Sequence, residues 1–167
     1  MKTKRLDNYG KINRDKILSF RWDKKNYTGF EGDTLASALL ANNIGIVGRS
    51  FKYHRPRGIF SSGVEESGAL VTIGSKDRRD PNVRATTQEL YNGLEASGQN
   101  AFPNVNFDLA GINNYLGRFF AAGFYYKTFM GFPPFEWGRG TAIWMFFEKF
   151  IRKAAGMGSA SEFIKFK

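Results

Sequence analysis

Apolar and polar positions alternate in the first clearly patterned stretch of the chain. Residues 18–22 run apolar, polar, apolar, polar, apolar, and this two-residue period is typical of a strand with one buried face. The polar residues 23–26 follow as a turn, and apolar character returns over residues 27–30. The pattern therefore predicts a β-hairpin near the start of the chain.

A three-and-four spacing of apolar residues follows the hairpin. Leu35, Ala38 and Leu39 share one face of a predicted helix over residues 34–41. Asp33 stands directly before this helix, and a carboxylate there can accept the free backbone N–H groups of the first turn. We therefore predict Asp33 as the N-cap.

Short segments punctuated by glycine complete the first hundred residues. We predict strands over residues 44–47, 69–73, 83–90 and 94–97, the last two joined around an Asn-Gly turn. Two strands, one helix and then several strands is the element order of a β-grasp, an α+β fold whose mixed sheet lies across one main helix. A generic α+β sandwich is the alternative.

Aromatic residues concentrate in the second half, where 16 of the 27 lie between Phe102 and Phe150. We predict helices in this half over residues 108–118 and 141–155. The chain is expected to comprise a polar lead-in, a β-grasp domain, an aromatic docking extension that is partly helical, and a mobile tail: residues 1–16, 17–100, 101–158 and 159–167.

Composition narrows the possible functions. The 167 residues include 25 Lys and Arg against 15 Asp and Glu, no cysteine, and His54 as the only histidine. The lack of cysteine excludes a disulfide framework, a thiolate zinc site, a cysteine nucleophile and an all-cysteine iron–sulfur cluster. No stretch approaches the roughly 20 apolar residues of a membrane span, and we expect a cytoplasmic protein.

The strongest candidate for chemistry is a basic loop, residues 48–58, which carries four cations and the only histidine but no acid. Charge and the planar guanidinium group suit such a loop to bind anions. It is a solvated loop or one whose cations pair with acids elsewhere in the chain, a contact for a cofactor or another protein, or a nucleic-acid contact. The candidate anion contacts are Arg49, Lys52, His54, Arg55 and Arg57.

A general-base role for His54 is disfavoured, because neighbouring cations oppose its protonation and no acid nearby in sequence orients the ring. No glycine-rich nucleotide motif occurs, and the adjacent Glu65 and Glu66 are interpreted as a solvated turn. Ser61 and Ser62 have no base partner beyond His54, which makes a hydrolase a weak interpretation. We therefore predict no catalytic residue and no metal ligand.

The segment 123–130 contains four aromatic residues and a methionine. Leaving several such side chains in water is unfavourable, so they either pack on the β-grasp domain or dock on another domain or subunit. The candidate docking residues are Phe124, Tyr125, Tyr126, Lys127, Phe129 and Met130.

Four stretches in this order resemble the N-terminal region of the alpha subunit of heterotetrameric sarcosine oxidases. They are GDTLASALLAN at 32–42, GRSFKYHRPRG at 48–58, RATTQELY at 84–91 and GFYYKTFM at 123–130. The resemblance spans about residues 5–156, and it implies a β-grasp domain of the 2Fe-2S ferredoxin type. In cluster-bearing relatives the loop after the helix presents cysteines to the irons, whereas residues 53–68 contain none. We therefore predict no cluster.

The resemblance also implies a role within a larger enzyme. The alpha subunit of this family is much longer and carries NAD-binding and folate-binding domains, and FAD and FMN involve the beta subunit. The complete enzyme oxidises sarcosine to glycine with hydrogen peroxide and formaldehyde or methylenetetrahydrofolate.

By this resemblance the chain is a structural and assembly part without catalysis of its own. Its partners would be the rest of the alpha subunit and the flavin-bearing beta subunit, with the basic loop as a candidate flavin interface. NAD, FAD and FMN are expected only in the complete complex. A basic nucleic-acid- or protein-binding module, or the equivalent part of another amine or opine oxidase, remains an alternative.

Overall fold

A computed structural model describes residues 5–6, 9–75, 78–117 and 141–154 of the chain. Its helices are α1 (Leu35–Ala41), a 3₁₀ helix (Leu109–Asn114) and α2 (Thr141–Ala154). Its strands are β1 (Asn13–Trp22), β2 (Lys25–Glu31), β3 (Gly48–Arg49), β4 (Pro56–Arg57), β5 (Leu70–Ile73), β6 (Asp80–Arg84) and β7 (Leu94–Gly98). None of the helices in these ranges is long and apolar enough to cross a membrane.

The described strands form a mixed five-stranded sheet in the order β2-β1-β7-β5-β6, beside a separate two-stranded ladder of β3 and β4. β1 is antiparallel to β2 and parallel to β7, while β5 is antiparallel to both β7 and β6. A mixed sheet of this kind with one main helix confirms the predicted α+β, β-grasp fold.

The hairpin of β1 and β2 is confirmed, and its turn is tighter than predicted. Trp22 pairs with Lys25, so Asp23 and Lys24 alone make the turn, with φ of 44° and 70°. Two successive residues in the left-handed region are typical of the two-residue turns that match strand twist. The alternating residues Leu18, Phe20 and Trp22 are buried, as the period predicts.

The helix is also confirmed, but its predicted N-cap is wrong. Thr34 is the N-cap of α1: its side chain accepts from the backbone N–H of Ser37, whose hydroxyl accepts from the Thr34 backbone. Asp33 instead accepts hydrogen bonds from the Phe30 backbone and the Ser37 hydroxyl, and it pairs with Arg5. The carboxylate therefore ties three segments together instead of capping the helix.

The core lies between α1 and the sheet. Leu35, Ala38 and Leu39, the predicted helix face, are fully buried, and they belong to one cluster with buried residues of the strands. Burial of this apolar face is the main stabilising contribution.

Elsewhere the strand boundaries differ from the prediction. The structure assigns strand to residues 48–49 instead of 44–47, and β6 ends at Arg84 instead of continuing to residue 90. The chain leaves the sheet there because the following backbone carbonyls accept hydrogen bonds from the start of α1. Leu35 N–H donates to the Gln88 carbonyl at 2.8 Å, and Ala36 N–H donates to the Ala85 carbonyl at 2.9 Å. The predicted helix over 108–118 is a shorter 3₁₀ helix, while α2 confirms the helix predicted from residue 141.

Candidate functional site

The basic loop is framed by the ladder of β3 and β4 and closed by its own backbone. Ser50 N–H donates to the Arg55 carbonyl and His54 N–H donates to the Ser50 carbonyl, both at 2.9 Å. His54 takes the left-handed conformation, with a φ of 54°. The loop therefore has a defined shape instead of being a loose run of cations.

Arg49 joins this loop to the segment after β7. Its guanidinium donates twice to the Val105 carbonyl, at 2.9 and 2.8 Å, and once to the His54 carbonyl at 3.1 Å. The Asn100 side chain donates to the Arg49 carbonyl at 3.1 Å. Arg49 thus fixes two stretches of backbone against each other, and its donors are used inside the fold.

His54 does have an acid that orients its ring, although the acid lies 54 residues further along the chain. His54 Nδ1 is 2.7 Å from Asp108 Oδ2, and the Asp108 side chain is 0 % exposed. Burial opposes ionisation of Asp108, but hydrogen bonds from the Phe102 backbone, from His54 and from the Ala110 backbone lower its pKa overall. Spacing along the chain gave no signal of this pair, because the fold alone brings the two segments together.

The other cations of the basic loop surround an aromatic ring or face solvent. Lys52 Nζ and the Arg55 guanidinium lie 5.0 and 4.8 Å from the centroid of the Tyr53 ring, within the range of cation–π attraction. Arg55 Nε also donates to the Asn114 side chain at 3.0 Å. Arg57 is exposed on β4. Only part of the candidate anion site is thus directed outward.

The segment 102–116, which the basic loop holds, exposes apolar side chains at its surface. Tyr115 is 85 % exposed, and Phe60, in the loop after β4, is 91 % exposed. Large exposed apolar side chains near cations are typical of contact surfaces. The exposed members of the segment are Phe102, Phe107, Leu109, Ile112, Tyr115 and Leu116.

The docking residues predicted from the aromatic segment lie outside the described residues, and their predicted role stays a prediction. They are Phe124, Tyr125, Tyr126, Lys127, Phe129 and Met130.

Glu66 is a buried charged residue that the sequence interpretation missed. It is 1 % exposed, so the solvated turn predicted for it is wrong. Its carboxylate lies inside the loop that joins β4 to β5 and accepts hydrogen bonds from four backbone N–H groups of that loop. The adjacent Glu65 is exposed, as predicted.

These residues do not fit an iron–sulfur cluster. Thiolates hold such clusters, and the sequence contains no cysteine. In the part of the chain that the structure describes, no group of three His, Asp or Glu side chains is placed to hold a metal ion either. Four backbone N–H groups of the loop between β4 and β5 already donate to the Glu66 carboxylate of the chain itself.

Comparison with known proteins finds one matching family and relatives that are sarcosine oxidase subunits. Residues 15–101 match the 2Fe-2S iron-sulfur cluster binding domain family. Sarcosine oxidase subunit alpha of Rhizobium meliloti (strain 1021) is 52 % identical over 161 residues, which are 96 % of this chain and 16 % of that protein. Sarcosine oxidase subunit alpha of Corynebacterium sp. (strain U-96) is 46 % identical over 90 residues, 52 % of this chain and 9 % of that protein. The chain thus spans less than a fifth of the length of these relatives.

Among solved structures, the crystal structure of L-proline dehydrogenase from P. horikoshii superposes with a TM-score of 0.44 and 24 % sequence identity. The superposition covers 55 % of this chain and 17 % of that one.

Proposed function

The chain belongs to the family of 2Fe-2S iron-sulfur cluster binding domains, and from this premise we propose that it is a non-catalytic, N-terminal part of a sarcosine oxidase alpha subunit. Identity of 52 % over 96 % of the chain extends well beyond the β-grasp domain. A domain of this family without thiolates has no cluster to carry electrons. What remains for it is a structural and assembly role inside a larger flavoenzyme.

The surface formed by the basic loop and the segment 102–116 is the observation that supports this role. Arg49 and the pair of His54 and Asp108 hold the two stretches together from inside. Exposed cations and exposed apolar side chains are left on the outside. Such a surface suits contact with an anionic group and an apolar face of a neighbouring subunit.

The neighbours that fit are the remainder of an alpha subunit and a flavin-bearing beta subunit, in the cytoplasm. On this proposal NAD, FAD and FMN belong to the complete complex. The cations Lys52, Arg55 and Arg57 are the contacts that we propose for flavin phosphate or for partner carboxylates. The segment 123–130 adds a second docking surface. Reaction chemistry, the oxidation of sarcosine with release of hydrogen peroxide, is left to the partners.

Charge reversal at an exposed cation tests the proposal. Arg57→Glu is expected to weaken binding of the purified chain to the flavin-bearing subunit of Rhizobium meliloti sarcosine oxidase at least about tenfold, because a charge of the wrong sign in the interface repels the partner. Lys25→Glu, an exposed change of equal charge at the start of β2 and outside the basic loop, is the matched control. Binding is read by titration calorimetry, and thermal unfolding verifies that both variants stay folded.

Three results would contradict the proposal. The first is binding by Arg57→Glu that is as tight as that of the wild type, and the second is no binding by the wild-type chain. The third is tight association with DNA or RNA near physiological salt in a gel-shift assay. The net charge of +10 and the position of Lys52 and Arg55 beside the Tyr53 ring make nucleic acid the relevant competitor.

A further inference from the structure

The carboxylate of Glu66 lies at the centre of its own loop. Backbone N–H groups of Phe60 and Ser61 donate to Oε2 at 2.7 and 2.6 Å. Those of Gly68 and Ala69 donate to Oε1 at 2.5 and 3.1 Å. Both oxygens are therefore satisfied by main-chain donors that come from the two arms of the loop.

Main-chain donors, and not a cation, hold this buried charge. In the described part of the chain no Lys, Arg or His forms an ion pair with Glu66, and Arg84 donates to its backbone carbonyl instead, at 3.2 Å. Burial alone would raise the pKa of Glu66, but the N–H groups of Ser61, Gly68, Phe60 and Ala69 lower it to about 2. The carboxylate is thus a fixed anion at neutral pH.

The loop is shaped tightly around this anion. A Cβ on Gly68 would lie 2.7 Å from the Gly58 carbonyl oxygen and 3.1 Å from Glu66 Oε1. The Thr86 hydroxyl donates to the Gly63 carbonyl at 2.8 Å and fastens the tip of the loop to the segment after β6. Convergent backbone N–H groups of this kind form an anion-binding concavity, a device that proteins use for phosphates and for iron–sulfur centres.

The position of this concavity in the fold relates it to the cluster-binding family. It lies after α1, between β4 and β5, inside residues 15–101 that match a cluster-binding family. An iron–sulfur cluster with thiolate ligands is anionic and is hydrogen-bonded through its sulfurs. This chain retains inward-pointing N–H groups but has no thiolate, and it supplies one carboxylate at their focus.

We propose that Glu66 is an internal replacement for the cluster: its carboxylate is the anion that orders the loop, in the role that an anionic metal centre has in cluster-bearing members of the family. The loop then keeps its shape without iron and independently of redox state. This inference rests on the geometry of the loop and on family membership, and it holds whether or not the chain is part of a sarcosine oxidase.

Substitution of Glu66 tests the inference in the purified chain. Glu66→Gln keeps the shape but turns an NH₂ group toward N–H donors, and it is expected to lower the melting temperature by about 10 °C. Amide hydrogen exchange at residues 60, 61, 68 and 69 is expected to speed up at least about tenfold, while exchange in β1 changes less. Glu65→Gln is the matched control and is expected to melt within about 2 °C of the wild type.

Chemical rescue separates an anion site from simple packing. Glu66→Ala leaves the N–H groups without an acceptor, and sodium formate is expected to raise its melting temperature and slow exchange at the same four residues. Sodium chloride at equal ionic strength and the wild-type chain with formate are the controls. If Glu66→Ala does not fold, the exchange pattern of Glu66→Gln decides alone.

The inference is overturned if Glu66→Gln melts and exchanges like Glu65→Gln. It is also overturned if the loss of protection spreads evenly over the sheet, because the carboxylate would then not order this loop in particular. Failure of formate to rescue a folded Glu66→Ala more than chloride does would equally count against it.

Discussion

At the scale of single residues, buried carboxylates hold the irregular parts of this fold. Asp33, Glu66 and Asp108 each have a side chain that is almost fully buried and accepts several hydrogen bonds. The sequence gave no reason to expect their burial, because an Asp or Glu in a polar stretch is ordinarily exposed. Their partners are backbone N–H groups or residues distant in sequence, which leave no pattern to find.

Acid sensitivity is expected from Glu66. Its pKa is about 2 in the folded chain and near the ordinary 4.5 when unfolded. A carboxyl with a lowered folded pKa stabilises the fold above its unfolded pKa and loses this contribution as pH falls toward the folded value. The free energy of unfolding from urea titrations should therefore fall between about pH 5 and pH 2, by on the order of 3 kcal/mol from this group.

The comparison that checks this is the pH dependence of Glu66→Gln, which should be shallower than that of the wild type over the same range. Asp108, whose pKa is also lowered, accounts for part of the remaining slope. Equal slopes for the two proteins would mean that Glu66 has no role in acid stability.

Arg5 is expected to matter despite lying in the polar lead-in. Its guanidinium donates through its two terminal nitrogens to Asp33, whose side chain is 0 % exposed, and it lies 5.2 Å from the centroid of the Phe30 ring. Arg5→Ala removes the cation from a buried carboxylate and should lower the free energy of unfolding by roughly 3 kcal/mol in denaturant titrations.

The control for Arg5 is Lys16→Ala, because Lys16 pairs with Glu31 on the surface, where both side chains are largely exposed. That change should shift stability by less than about 1 kcal/mol. Similar losses for the two variants would show that Arg5 does not anchor the lead-in to the helix start.

At the scale of elements, the periodicity of apolar residues predicted the strands and helices that have one buried face. The alternation in β1 and the spaced apolar face of α1 are visible in the sequence because one side of each element is buried. The ends of elements were predicted less well. β6 stops at Arg84 because backbone carbonyls of the next residues accept hydrogen bonds from the first N–H groups of α1. Such a long-range hydrogen bond does not change the local strand propensity, so the sequence does not reveal it.

The start of α1 supplies a prediction at this scale. Thr34→Ala removes the side-chain acceptor for the Ser37 N–H and breaks the reciprocal cap, so the free energy of unfolding should fall by about 1 kcal/mol. Thr34→Ser keeps the hydroxyl and should retain most of that stability. Urea titrations compare the two, and an alanine variant as stable as the serine variant would show that the cap contributes nothing.

At the scale of the whole molecule, a domain of a cluster-binding family occurs in a chain that has no cysteine. The sequence alone predicted the fold and the lack of thiolates, and it located the basic loop. It could not predict that Asp108 orients His54 or that Glu66 fills the loop between β4 and β5, since both depend on how the chain folds back. Within the described residues, the basic loop is joined to a segment that exposes apolar side chains.

The most direct measurement replaces the corresponding segment of Rhizobium meliloti sarcosine oxidase subunit alpha with this chain and follows hydrogen peroxide released from sarcosine by the purified complex. We predict that the hybrid assembles with its flavins and turns over, that a complex lacking the segment does not assemble, and that the chain alone releases no peroxide. Full activity of the complex without the segment, or sarcosine-dependent peroxide from the isolated chain, would contradict the account.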